Sequence, residues 1–251
     1  MLVKDIMTPK LESILPTSTL REAAQKMRDL NLGSLPVAKD GKLVGRVTVN
    51  AVVDYIRQAT ETEQLSRAGL REGEDIFASV WDSVKNRWSW LAINMVTAFI
   101  ASRVIGAFEG SIEKLVALAA LMPIVAGIGG NSGNQTITMI VRALALGQVQ
   151  QESARVLLRK EIGVAMVNGL IWGSLLGFVA WWLYRSVALG AVMTAAMMLN
   201  LIVAATVGVA VPLLRQRLGY DPAIGSSVLI TAVTDSGGFF IFLGLATLFL
   251  L

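Results

Sequence analysis

Two hydrophobic regimes divide the chain. Before residue 87, apolar positions are short-range and patterned; after it they form runs long enough to cross a bilayer. In the first regime, Thr19-Leu20-Arg21-Glu22 is a capping box, and Leu20, Ala24, Met27 and Leu30 follow at helical spacing to Leu32-Gly33. Leu35-Pro36-Val37-Ala38 and Leu43-Val44-Gly45-Arg46-Val47-Thr48 flank Asp40-Gly41, which predicts a β-hairpin. A second amphipathic helix is expected from Ala51 to about Gln58. After glycines at 69 and 73, Ile76, Phe77, Val80, Trp81 and Val84 share one face of an amphipathic connecting helix, placed on the membrane surface or beneath the spans. The long runs are Trp88–Ala107, Leu115–Leu144, Ile162–Tyr184, Leu189–Leu214 and Pro222–Leu251. Each is near or above the roughly 20 residues a transmembrane helix needs. The fold class expected is therefore an α-helical membrane protein with five transmembrane helices per subunit, a small α/β unit and a connecting helix preceding them.

Two of the runs carry groups that lipid disfavours. The second contains Gly127-Ile128-Gly129-Gly130-Asn131-Ser132-Gly133-Asn134-Gln135. Glycines and amides at that depth suggest a broken helix lining a cavity. Close packing of small residues is the other interpretation. No strand precedes this run and no Gly-Lys-Ser/Thr follows, which excludes a phosphate loop. The fifth run holds one acid, Asp235, between Thr234 and Ser236-Gly237-Gly238. A bare Asp at the bilayer centre costs about 2.5–3.5 kcal/mol on insertion scales, so it marks an ion path before it marks structural glue.

Composition supports the membrane assignment: 54% of residues are hydrophobic and only 16% charged, with a mean hydropathy of +0.62. The net charge of +4 lies mainly where loops would meet anionic headgroups, and no basic block with interleaved aromatics points to nucleic acid. Lys85 and Arg87 precede the first run; Arg155, Arg159 and Lys160 precede the third; Arg215 and Arg217 precede the fifth. The positive-inside rule then predicts a cytoplasmic N-terminus and an external C-terminus. Cysteine and histidine are both absent. That removes thiol catalysis and histidine-dependent triads, and leaves hard, oxygen-liganded cations as the only metals handled. The first residues lack the apolar core of a signal peptide, which favours a bacterial plasma membrane.

Pro123-Ile124-Val125-Ala126-Gly127-Ile128-Gly129-Gly130-Asn131-Ser132-Gly133-Asn134-Gln135 with Arg142-Ala143-Leu144-Ala145 resembles the second transmembrane helix of the MgtE family of magnesium channels. Asp221-Pro222-Ala223 with Thr234-Asp235-Ser236-Gly237-Gly238-Phe239-Phe240 resembles its fifth, and the first fifty-odd residues look like a CBS half. The resemblance implies a CBS half over 1–58, a linker and connecting helix over 59–87, and a five-helix pore domain over 88–251. It further implies a homodimer with its pore on the two-fold axis, lined by the second and fifth helices, and no enzymatic activity.

Residue by residue, Asp235 corresponds to the central pore carboxylate and Asp221 to an acid near the cytoplasmic mouth. Gly127, Gly130 and Asn134 match positions facing the hydrated ion, and Thr231 a position offering a backbone carbonyl. In the CBS half, Thr48 and Asn50 occupy the nucleotide-contact positions. Asn50 stands where a ribose-binding Asp is often found, which makes a bound nucleotide doubtful. Asn50, Gln58 and Thr62 are neutral where the family has regulatory acids, leaving Asp54, Glu61 and Glu63 as candidate ligands for a cytosolic regulatory magnesium. The expected function is passive entry of Mg2+ into the cytoplasm. Alternatives are a broader Co2+/Mn2+ carrier, a proton-coupled transporter and, remotely, an intramembrane aspartyl protease using paired acids.

Overall fold

A computed structural model describes residues 12–67, 69–70, 76–145, 154–223 and 225–251. The chain divides into two compact units, Met1–Gln64 and Leu65–Leu251.

In the first unit, α1 (Leu20–Asp29) starts from Thr19, whose hydroxyl accepts the Glu22 N–H while the Glu22 carboxylate accepts the Thr19 N–H. The capping box is thus formed as its sequence requires. Strands β1 (Ser34–Lys39) and β2 (Lys42–Thr48) pair antiparallel through Asp40 and Gly41, both at positive φ (51° and 75°), the backbone that an Asp-Gly hairpin turn demands. Ile14, Ala23, Met27, Leu35 and Val52 form the core of this unit. Its helix face is therefore Ala23–Met27, and Leu30 is exposed. The next helix, α2 (Val49–Arg67), extends well past the Gln58 end expected for it, because no glycine or proline interrupts the run before Gly69. Gly69, at φ 74°, accompanies its termination, and the Leu70 N–H reaches back to the Leu65 carbonyl.

The second unit is helical: α3 (Val80–Ala107), α4 (Glu109–Lys114), α5 (Ala117–Ala145), α6 (Ala154–Tyr184), α7 (Val187–Arg217) and α8 (Ser226–Leu250). Between Val80 and Trp88 the expected connecting helix is not a separate element, since α3 runs unbroken from its Ser79 cap into the first span. Ile76 and Phe77 precede it in a turn. Four helices, α3, α6, α7 and α8, are long and apolar enough to cross a membrane. The 29-residue α5 has the length too, but its glycine and amide run dilutes its apolar character. α7 is the hub and packs against α5, α6 and α8. The largest core cluster joins Leu118, Met122 and Val125 of α5 to Met193 and Ala196 of α7 and to Phe242 and Leu243 of α8.

The glycine run does not break α5, which remains helical from Ala117 to Ala145. The physical reason lies in its neighbours. A Cβ on Gly129 would strike the Asn200 amide, and one on Gly133 would strike Ile230. These glycines let α7 and α8 approach closely while α5 stays helical, as small residues do at membrane helix crossings.

Candidate functional site

The two motif-bearing helices meet. Gly130 of α5 faces Thr234 of α8, a Cβ there lying 3.4 Å from the Thr234 hydroxyl. Gly133 meets Ile230, so ascending α5 residues meet descending α8 residues and the pair is antiparallel. Asp235 follows directly after Thr234. Nine residues separate it from the start of α8, placing it roughly 13 Å along the helix axis.

Around this crossing some polar residues are uncovered in the single chain. On α5, Gly127, Asn131 and Gln135 are exposed and Asn134 partly so; on α8, Thr231 and Asp235 are partly exposed. Among the described residues, nothing would touch a Cβ added to Gly127. The Thr231 hydroxyl donates to the Ser227 carbonyl at 3.0 Å, which leaves the hydroxyl turned back on its own helix. The Thr231 carbonyl accepts from the Thr234 hydroxyl at 3.2 Å, a bond that hydroxyl shares with the Ile230 carbonyl at 2.8 Å. The Thr231 carbonyl thus already accepts a side-chain hydroxyl from its own helix. The hydroxyl of Ser236, beside Asp235, is buried without a hydrogen-bond partner.

Asp221 sits apart from this crossing, exposed in the α7–α8 connection. Its carboxylate accepts the Ala223 N–H at 2.8 Å, and its carbonyl accepts from the Arg215 guanidinium at 3.0 Å. Arg215 also lies over the Tyr220 ring, 5.8 Å from its centroid. The sequence thus fixes the loop that carries Asp221 with an Asx turn and a cation–π contact.

In the first unit, the Thr48 hydroxyl accepts the Ala51 N–H at 3.4 Å at the start of α2, and Asn50 is exposed. Asp54 and Glu61 are exposed on α2; seven residues apart, they share a face but stand about 10 Å from each other along the axis. The side chain of Glu63 lies outside the described residues. Among the described residues, no three acids gather at a single point.

Among the buried polar residues that the sequence did not single out are Glu161 and Asn200. Glu161 of α6 is 6% exposed and accepts a hydrogen bond from Thr136 of α5 at 3.1 Å, with the Lys160 ammonium at 3.7 Å. Asn200 of α7 is fully enclosed and donates to the Val125 carbonyl at 2.9 Å. Glu161 hides in sequence beside Arg159 and Lys160, where it resembles headgroup charge. Asn200 did carry a signal, being an amide alone in an apolar run.

Comparison with known proteins adds the following. Residues 122–245 match the MgtE family model, described as a divalent cation transporter, and residues 3–58 match a CBS domain. The chain is 34% identical to the magnesium transporter MgtE of Thermus thermophilus over 99% of its own length, and 29% identical over 99% to that of Bacillus subtilis. It covers 56% and 55% of those two proteins, about half the length of the curated relatives it matches. A CBS domain-containing protein of B. subtilis, YhcV, is 41% identical over 46 residues, covering 18% of this chain and 33% of that protein.

Proposed function

We propose that this chain, whose residues 122–245 match the MgtE model of divalent cation transporters and whose residues 3–58 match a CBS domain, is a transporter of that family rather than an enzyme, and that it passes Mg2+ into the cytoplasm through a pore made by two copies. The pore helices are α5 and α8 of each copy, and α5 is the fifth spanning helix beside the four apolar ones. The N-terminus lies on the cytoplasmic side and the C-terminus outside. Supporting this is the partly exposed acid Asp235, set beside the α5–α8 crossing in a helix with no other charged residue, with no cluster of three acids among the described residues.

A lone carboxylate is poorly tolerated at membrane depth, and so is a bare divalent cation. Two Asp235 carboxylates related by a two-fold axis balance one Mg2+. Magnesium dehydrates reluctantly and demands octahedral oxygen at about 2.0–2.1 Å, so it keeps several waters in most sites. The Thr231 carbonyl, the exposed backbone of Gly127 and the Asn134 amide supply partners for those waters. Such a cage holds a hydrated magnesium ion. Calcium, with longer bonds and looser hydration, fills it less well. Asp221 adds negative charge at the cytoplasmic mouth, and Asp54, Glu61 and Glu63 are the acids available to sense cytosolic magnesium.

The test is Mg2+ entry into proteoliposomes. Asp235→Ala and Asp235→Asn are both expected to lose nearly all flux, the second showing that charge rather than size is needed. Because the chain lacks cysteine, Asp235→Cys should also be joined into a dimer by a bifunctional thiol cross-linker that spans a hydrated ion. Parental flux in Asp235→Ala would end this reading.

A further inference from the structure

Asn200 lies off the proposed conduit, in the middle of α7, yet it touches both helices that build it. Its Nδ2 donates to the Val125 carbonyl of α5 at 2.9 Å. A Cβ on Gly129 of α5 would collide with that same nitrogen, and one on Gly238 of α8 would come within 2.7 Å of it. α7 thus sends one polar side chain into a notch that α5 and α8 each open with a glycine.

The side chain is fully enclosed, and its Oδ1 has no hydrogen-bond partner. An unpaired buried acceptor is costly, so an amide is a poor filler here; a leucine has the same branched outline, though bulkier, without that penalty. What the amide does, and leucine cannot, is hold one particular carbonyl at hydrogen-bond distance. Apolar packing tolerates a slide along the axis better than a directional bond does.

The geometry of the notch decides where that constraint acts. Gly129 is the residue before Gly130, and Gly238 lies one turn beyond Thr234. Gly130 and Thr234 are the pair whose approach forms the α5–α8 crossing. We propose that Asn200 is a positioning residue for cation selectivity: its carboxamide fixes the register of α5 against α7 and α8, and so the size of the cage bounded by Gly127, Asn134, Thr231 and Asp235. It does so without touching the ion. This rests on the conduit assignment above. A site held about 1 Å too loosely loses its discrimination before it loses its fold.

The experiment uses the whole chain in proteoliposomes, with Mg2+ and Ca2+ entry measured separately for the parent, Asn200→Leu, Gly129→Ala and Asp235→Ala. Asn200→Leu is expected to conduct with a Mg2+:Ca2+ ratio reduced about fivefold or more. Loss of folded protein scales both fluxes equally, so it leaves this ratio unmoved. Gly129→Ala expels the same amide from the opposite side and should lower the ratio likewise, which keeps the test alive where Asn200→Leu fails to assemble. A direct readout of register comes from a Gly130→Cys, Thr234→Cys pair in this cysteine-free chain. It should form a disulfide readily with Asn200 present and about tenfold more slowly with Asn200→Leu.

An unchanged ratio and an unchanged cross-linking rate, with Asp235→Ala inactive, overturn the role of Asn200 and leave the conduit standing. Parental flux in Asp235→Ala removes the conduit instead, and with it the selectivity role, whatever the cross-linking reports.

Discussion

A glycine in a membrane helix can make room for a neighbouring helix or expose backbone to water, and α5 does both within seven residues. Gly133 is packed: a Cβ there meets Ile230, itself fully buried. Gly127 is open, with nothing near enough to touch a Cβ. Alanine should therefore act oppositely at the two positions. Gly133→Ala should destabilise the protein by about 1–3 kcal/mol through overpacking. Gly127→Ala should leave stability unchanged or raise it by about 0.5–1 kcal/mol, since glycine is a poor helix former, while lowering Mg2+ flux by crowding the conduit. Thermal unfolding in detergent beside proteoliposome flux checks both, and the reverse ordering of the two melts would contradict this assignment. Glu161 gives a second contrast. Its bond from Thr136 is one of the polar links in the interior of the membrane unit. Glu161→Ala should cost about 1–3 kcal/mol by stranding the Thr136 hydroxyl, whereas Glu161→Gln, which keeps an acceptor oxygen, should cost less. Equal losses in unfolding experiments would show that the bond contributes nothing.

Among elements, α6 and α7 show the same small-residue logic on a larger scale. Gly169, Gly173 and Gly177 recur every fourth residue along α6 and face Met198, Thr194 and Gly190 of α7. At Gly177 a Cβ would lie 2.5 Å from the Gly190 carbonyl oxygen, a backbone atom with little freedom to yield. Gly177→Ala should thus cost more than Gly133→Ala, whose obstacle is a side chain; a smaller drop in melting temperature for Gly177→Ala would refute the ranking. Gly163, with open space around its Cβ position, is the neutral control. This packing also explains what the sequence could and could not convey. The hairpin and capping box were legible because each depends on residues close in sequence: Asp40-Gly41 for the turn, Thr19 and Glu22 for the cap. The glycine and amide run of α5 suggested a break because a lone helix with those residues is weak. The partners that keep it whole, Asn200 and Ile230, lie far along the chain, where periodicity carries no information about pairing. For the same reason Thr234 and Asp235 could be picked out as unusual, but the meeting of Thr234 with Gly130 came only from the fold.

For the molecule as a whole, the decisive question is what would drive the proposed Mg2+ entry. The chain supplies a membrane unit with an acid at its crossing and a small α/β unit with a helical face of exposed acids, Asp54 and Glu61. Cysteine and histidine are absent throughout, so no imidazole stands ready to relay protons along the path. A passive conduit then has one energy source, the field and gradient acting on the ion itself. At about 2.3 kcal/mol per charge per 100 mV, a divalent cation gains roughly 4.6 kcal/mol on entering a compartment 100 mV negative. By the rule of about 1.4 kcal/mol per tenfold, that supports an accumulation on the order of a thousandfold or slightly more. Liposomes holding this protein, clamped at that potential by a potassium gradient and valinomycin, should accumulate Mg2+ toward that ratio with no nucleotide present. Asp235→Asn should stay near the leak. With the potential set to zero and equal Mg2+ on both sides, a pH gradient of either sign should move none. Net Mg2+ movement under that last condition would mean that protons and the ion share a coupled cycle at Asp235, and the passive conduit would give way to an exchanger or symporter.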